Sequence, residues 1–258
     1  MSDSERTVED EEQRALERLK AELGQHLAYV GCIYNLLVQT NYAFNGRDIV
    51  SMRPSLRVCL YLLAKLANDL RCVGLLAERG YGVQACALAA SLYETSHMIA
   101  YLRSDDDRAN DWLAHDDPVN APKSTRDLNR KNFEAFGLPS EKADTEFRVY
   151  RQLCWMKHSN PVAPAIKGLR PPDEWPTEGL SRLGPTTDEL AVNAAWFALQ
   201  HSGNLAAMAI DIIRISHLEG APSQDIYNQL VICNALLAQL DTLAKKRWGT
   251  AMPFMGKW

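Results

Sequence analysis

Apolar residues recur every three to four positions along most of the chain, the spacing that places them on one side of an α-helix. The pattern predicts a first helix from Val8 to about Thr40, and a second from Ser55, taken as its N-terminal cap, to Ala77. The turn Arg79-Gly80-Tyr81-Gly82 precedes a third helix at 83–102, which is apolar around nearly its whole circumference. Such a helix belongs in the centre of a fold.

The middle of the chain predicts shorter helices separated by polar or proline-containing segments. Helices are expected from Asp106 to about Ala114, from Ser124 to Phe136, and from Ser140 to a stop at Asn160-Pro161. The segment 168–185 contains four prolines and three glycines, which predicts a loop.

Two long helices are expected to close the chain, at 187–219 and 223–248. The tight link Gly220-Ala221-Pro222 predicts that they pack antiparallel. Polar residues on the first of them form a stripe that we interpret as a solvated face: Asn193, Gln200, Asn204, Asp211 and Arg214.

These elements predict one all-α domain over residues 1–258, a single helical bundle of about six to eight helices around the buried helix 83–102. No stretch has the alternating pattern of a strand, so a sheet is not expected. The N-terminal helix 8–40 is an element that can lie at the periphery of the bundle.

The composition of the chain bears on the cellular compartment of the protein and on the charge of the ligands that it can bind. The 258 residues carry 28 Lys and Arg against 32 Asp and Glu, a net charge of −4 that argues against broad electrostatic binding of nucleic acid. A confined basic groove that binds nucleic acid is compatible with this net charge. No apolar run is long enough to span a membrane, and the acidic first ten residues do not resemble a leader. Six scattered cysteines suggest reduced thiols, so a cytoplasmic protein is expected.

Arg151 and His158 form the first candidate site. Seven residues complete almost two helical turns, which places both side chains on one face about 10 Å apart along the axis. An arginine can bind phosphate oxygens, and a histidine can move a proton during attack of an RNA 2′-hydroxyl on phosphate. Such pairs occur by chance in many helices, so a purely structural role remains an alternative.

Glu94 is the second candidate, because it lies in the middle of the apolar helix 83–102. A carboxylate there must be paired, protonated or facing a cavity. Arg79 and the Arg151/His158 face are possible partners; either a buried site wall or a structural ion pair is consistent with the sequence. Glu94-x-x-His97 also matches half of a four-helix di-iron site, but the sequence has no second copy. We therefore expect no metal and no cofactor.

The order of these features resembles a widespread bacterial family of all-helical proteins of unknown function. The resemblance rests on the Arg-Gly-Tyr turn at 79–81, the helix ACALAASLYETSHMIAYL with Glu94 inside it, and Tyr150 followed by His158-Ser159-Asn160-Pro161. It covers about residues 55 to 165. That family is in turn similar to the HEPN superfamily of helical bundles.

The HEPN resemblance implies a dimer and, for many members, metal-independent ribonuclease activity in toxin–antitoxin and phage-defence systems. The HEPN signature is an arginine, four to six residues and a histidine, and Arg151 and His158 fit it at the longest spacing. Members of the superfamily often have Asn, Asp or His directly after that arginine, whereas this chain has Gln152. Non-catalytic members of the superfamily also exist.

Three hypotheses of function follow. The first is a cytoplasmic HEPN-like dimer acting on RNA, with Arg151 and His158 as catalytic residues in a crevice between two subunits. Glu94, Arg79 and Asn160 would support them, and an antitoxin or defence partner would accompany such a protein. The second is a non-catalytic interaction or scaffold protein, and the third is a sensor of a small ligand near Glu94.

Overall fold

Helices make up nearly all of the part of the chain that the computed structural model describes, residues 7–117, 121–157, 185, 187 and 189–249. Within these residues there is no strand. One short 3-10 turn, at Ile49–Ser51, follows the first helix. The helices are α1 (Val8–Tyr42), α2 (Pro54–Glu78), α3 (Gly82–Leu102), α4 (Asp106–Leu113), α5 (Thr125–Ala135), α6 (Ser140–Lys157), α7 (Glu189–His217) and α8 (Gly220–Trp248). The predicted all-α helical bundle is confirmed.

The predicted central helix is α3, which packs against α2, α6 and α7. Because neighbours cover it on several sides, most of its residues are buried, and this explains its lack of a polar face. Its N-terminus lies very close to α7: a Cβ atom at Gly82 would overlap the backbone carbonyl oxygen of Ala191. Glycine is therefore required at that contact.

The N-terminal helix α1 contributes to the core. It packs along α2 and α7 and buries an apolar side that includes Tyr29, Ile33 and Leu37. The Tyr29 hydroxyl donates a hydrogen bond to Asn204 Oδ1 on α7 at 2.9 Å.

Two predicted helix starts are wrong by a few residues. Ser55 is not a cap: α2 begins at Pro54, and the Ser55 hydroxyl donates a 2.6 Å hydrogen bond to Asp106 Oδ1. Proline suits the first helical turn, because the amide hydrogens there have no partner within the helix. Gly220-Ala221-Pro222 is likewise the first turn of α8 and not a link.

The last two helices are antiparallel, as predicted. Gln200 of α7 is hydrogen-bonded to Asp241 of α8, while Arg214 near the end of α7 contacts Ser223 near the start of α8. The polar stripe of α7 is not the solvated face that we expected. Gln200 is fully buried and Asn204 accepts the bond from Tyr29, so the stripe connects α7 to its neighbouring helices.

No helix in the described ranges combines the length and the apolar character that crossing a membrane requires. The predicted loop 168–185 and the helix stop at Asn160-Pro161 lie outside the described residues, apart from Pro185.

Candidate functional site

Tyr150 fixes helix α6 against the central helix α3. Its hydroxyl donates a 2.6 Å hydrogen bond to Glu94 Oε1, and its ring lies 4.8 Å from the ring of Tyr93. Thr125 of α5 contacts the same hydroxyl at 3.5 Å. Burial, together with hydrogen bonds that include the one to Glu94, raises the pKa of Tyr150. The phenol therefore stays protonated and acts as a donor.

Glu94 is half-buried and paired, one of the states that its position in the sequence allowed. Its partner is a neutral phenol and not an arginine. A phenol can satisfy one carboxylate oxygen without placing a second charge in the helix interface. The interaction links α3 to α6, the helix that carries Arg151.

Arg79 lies elsewhere, at the turn between α2 and α3. Its guanidinium forms a 2.6 Å ion pair with Glu12 of α1, and the Tyr81 hydroxyl donates to the same carboxylate. These two hydrogen bonds hold the pKa of Glu12 below its ordinary value. The turn is about 18 Å from Glu94 along the axis of α3, so the structure does not bring Arg79 and Glu94 together.

Arg151 directly follows Tyr150 on α6 and points away from the core. Its side chain is exposed, and it makes no hydrogen bond or ion pair with another described residue. His158 and Asn160 lie outside the described residues, which leaves the predicted Arg151/His158 pair a prediction. The structure places the guanidinium on the surface, next to an anchored side chain.

The region around Arg151 has a local positive charge. Residues 121–157 contain eight Lys and Arg against five Asp and Glu, in a chain whose net charge is −4. Arg126, Arg148 and Arg151 are all exposed. Arg130 is exposed as well, and its 3.6 Å contact with Asp144 is a surface pair with little effect on stability. The α5–α6 surface can therefore attract an anion that the protein as a whole repels.

A group of buried polar side chains lies beneath this surface, between α3, α5, α6 and α7. Asn132 donates through Nδ2 to the His97 carbonyl oxygen at 2.8 Å, and the same nitrogen is 3.3 Å from His97 Nδ1. Asn129 donates to the Tyr93 hydroxyl at 2.7 Å. Burial lowers the pKa of His97 to about 3, so its ring is neutral. These bonds attach α5 to the central helix.

Glu146 and His201 form a second pair in this group, with 3.6 Å between Oε1 and Nε2. Burial lowers the pKa of His201 to about 3 and raises the pKa of Glu146 to about 7. The pair therefore holds its proton on the carboxyl group below pH 7. Because the folded-state pKa of Glu146 exceeds its unfolded value, the stability that protonation provides is fully present below about pH 4.5 and is lost as the pH rises through 7.

Sequence reasoning missed Glu146 and the role of Asn132. The spacing of Glu146 and Tyr150, four residues on one helix, places both side chains on the same side of α6 and could have indicated Glu146. Asn132 gave no comparable signal, because an asparagine in a short polar helix resembles a solvated residue.

The half di-iron motif is divided between two contacts. Glu94 is hydrogen-bonded to Tyr150, whereas His97 contacts Asn132. Among the described residues, no three or more His, Cys, Asp and Glu side chains are grouped so that they could hold a metal ion.

Comparison of the chain with protein-family models, with curated proteins and with solved structures finds no match.

Proposed function

We propose that this protein is a HEPN-like helical protein that binds RNA on its α5–α6 surface and cleaves it without a metal ion. The observation that carries the proposal is the exposed Arg151, which has no partner among the described residues and follows the anchored Tyr150 in a locally basic segment. A guanidinium in that setting is available to a phosphodiester group.

In this proposal Arg151 binds the non-bridging oxygens of the scissile phosphate. His158 removes the proton of the neighbouring 2′-hydroxyl, whose oxygen forms a bond to phosphorus while the bond to the 5′-oxygen breaks. The departing oxygen takes a proton from water, and the products are a 2′,3′-cyclic phosphate and a 5′-hydroxyl. Glu94 is a positioning residue, because it acts through Tyr150 on the orientation of α6.

The test incubates single-stranded RNA with the protein in excess chelator and compares the wild type with His158→Ala and Arg151→Ala. We expect cleavage by the wild type and a loss of 100-fold or more in His158→Ala, the usual effect of removing a general base. The matched controls are His115→Ala and Arg71→Ala, which remove an exposed histidine and an exposed arginine elsewhere. Equal cleavage by all five proteins, or none by any, would refute the nuclease.

Arg151→Ala has a second readout in binding. Loss of one phosphate contact should weaken RNA binding for every sequence and reduce the slope of log K against log salt by about 0.7. A variant with unchanged affinity and slope would mean that Arg151 does not contact phosphate.

A non-catalytic interaction protein is the second candidate. It is favoured by the way Glu94, Asn129 and Asn132 direct their polar groups to other helices of the same fold. In that case the buried polar groups fix the register of the helices and do no chemistry. A wild type that binds but does not cleave RNA would favour this candidate.

A further inference from the structure

The outward sides of the middle parts of α1 and α8, residues 24–42 and 226–240, form a surface without charged side chains, which we call the neutral face. It is formed by exposed residues of both helices: Ala28, Cys32 and Asn35 of α1, and Val231, Ile232 and Ala235 of α8. Val231 and Ile232 keep 49% and 63% of their accessible surface although they are large apolar side chains.

The absence of charge extends well beyond these six residues. No Asp, Glu, Lys or Arg occurs between Gly24 and Gly46, or between Ile226 and Leu240, in a chain in which 23% of the residues are charged. Surface helices normally carry charge on the side that faces water. Depletion of charged residues is typical of the core of a protein–protein interface, and exposed apolar patches mark interaction sites.

The two helices lie side by side and antiparallel. Gln229 donates to Gln39 at 2.8 Å, and Arg247 donates to Glu22 at 2.8 Å near the other end of the pair. The charge-free stretch of α8, residues 226–240, gives a length of roughly 22 Å, and two helices give a width of roughly 20 Å. The flat area is therefore about 450 Å² before the relief of the projecting side chains is counted, against the roughly 800 Å² of accessible surface that each partner buries in a stable complex.

We propose that a second copy of this chain binds the neutral face across a two-fold axis, so that two antiparallel helix pairs form a four-helix layer. In such a contact the same surface must complement itself. Val231 and Ile232 provide projecting side chains, while Ala28, Cys32 and Ala235 leave space to receive them. RNA and anionic lipid require positive charge, which this surface lacks.

The proposed contact places the two candidate RNA surfaces on the outside of the dimer. Helix α8 packs against α1 and α7, whereas α6 packs mainly against α3 and α5 and meets α7 through Glu146 and His201, so α7 lies between α8 and α6. Each subunit then holds its own Arg151, in contrast to the shared crevice that the sequence predicted. The proposal does not depend on RNA cleavage.

Light scattering of the full chain between 1 and 100 µM tests the contact. We expect twice the 28.9 kDa mass for the wild type. Ile232→Glu should raise the dissociation constant at least 100-fold, while Leu113→Glu, which changes an exposed leucine of α4, should leave it unchanged. Circular dichroism confirms that each variant is folded. A monomeric wild type at 100 µM, or a dimer that Ile232→Glu leaves intact, would overturn the proposal.

Labelling of cysteines provides an independent measurement on the unmodified protein. Cys32 and Cys72 are both exposed, but only Cys32 lies in the neutral face. Reaction of Cys32 with a maleimide should slow relative to Cys72 as the concentration rises through the dissociation constant. A rate ratio that does not depend on concentration, including one in which Cys32 is always protected by its own chain, would contradict the proposal.

Discussion

Replacement of Tyr150 by phenylalanine should weaken the attachment of α6 to the core. The substitution keeps the ring and its contact with Tyr93 but removes the hydroxyl that donates to Glu94 at 2.6 Å. A hydrogen bond to a charged group contributes about 1.5–3 kcal/mol, and the carboxylate left behind is only partly solvated. We therefore expect Tyr150→Phe to lower the free energy of unfolding by about 2 kcal/mol, or the melting temperature by roughly 4–8 °C.

Urea denaturation followed by circular dichroism measures this loss, and a double-mutant cycle with Glu94→Gln assigns it to the pair. Glutamine keeps an acceptor oxygen without the charge, so the phenol should lose part of its effect in that background. Tyr61→Phe, at an exposed tyrosine of α2, is the control and should change stability by less than about 0.5 kcal/mol. If Tyr150→Phe behaves like this control, the hydrogen bond does not fix α6 and the argument for the placement of Arg151 fails.

Two other substitutions test buried features of the fold. As the pH rises from 5 to 8, the free energy of unfolding of Glu146→Gln should increase by about 2 kcal/mol relative to the wild type. The reason is that glutamine stays neutral where the Glu146 carboxyl, which has a pKa of about 7 and is 30% exposed, must ionise. Urea denaturation across this pH range measures the difference, and a difference that does not change with pH would show that Glu146 is not buried as a neutral acid. Gly82→Ala should lower the free energy of unfolding by about 2–3 kcal/mol, because its Cβ atom would overlap the Ala191 carbonyl oxygen. Gly24→Ala, which has open space around it, should raise the free energy of unfolding by about 0.5–1 kcal/mol. Thermal melts of both glycine variants compare them directly, and similar melting temperatures would contradict the close contact of α3 with α7.

The helices could be predicted from the sequence because each has its own local signals. Asp105 and Ser124 accept hydrogen bonds from the first turns of α4 and α5, as residues of these types do at helix starts. The absence of a polar face on α3 correctly indicated its burial. Hydrophobic periodicity is a property of one helix, so it can be recognised without knowing which other helices pack against it.

The candidate site was less predictable, because its geometry depends on contacts between helices. Glu94 was identified as a buried carboxylate, but its partner Tyr150 is 56 positions away and belongs to another helix. The prediction that Gln200 faces water was wrong for the same reason. The sequence of a helix does not show whether a polar residue faces water or, like Gln200, contacts Asp241 of another helix.

The chemistry of the RNA ends shows directly whether Arg151 and His158 cleave RNA without a metal ion. A 5′-labelled single-stranded RNA is incubated with the wild type in chelator, and the new 3′ ends are identified by mass spectrometry. We expect 2′,3′-cyclic phosphate ends that disappear with His158→Ala and that decrease with Arg151→Ala. Intact RNA with the wild type, or the same ends from His158→Ala, would contradict it.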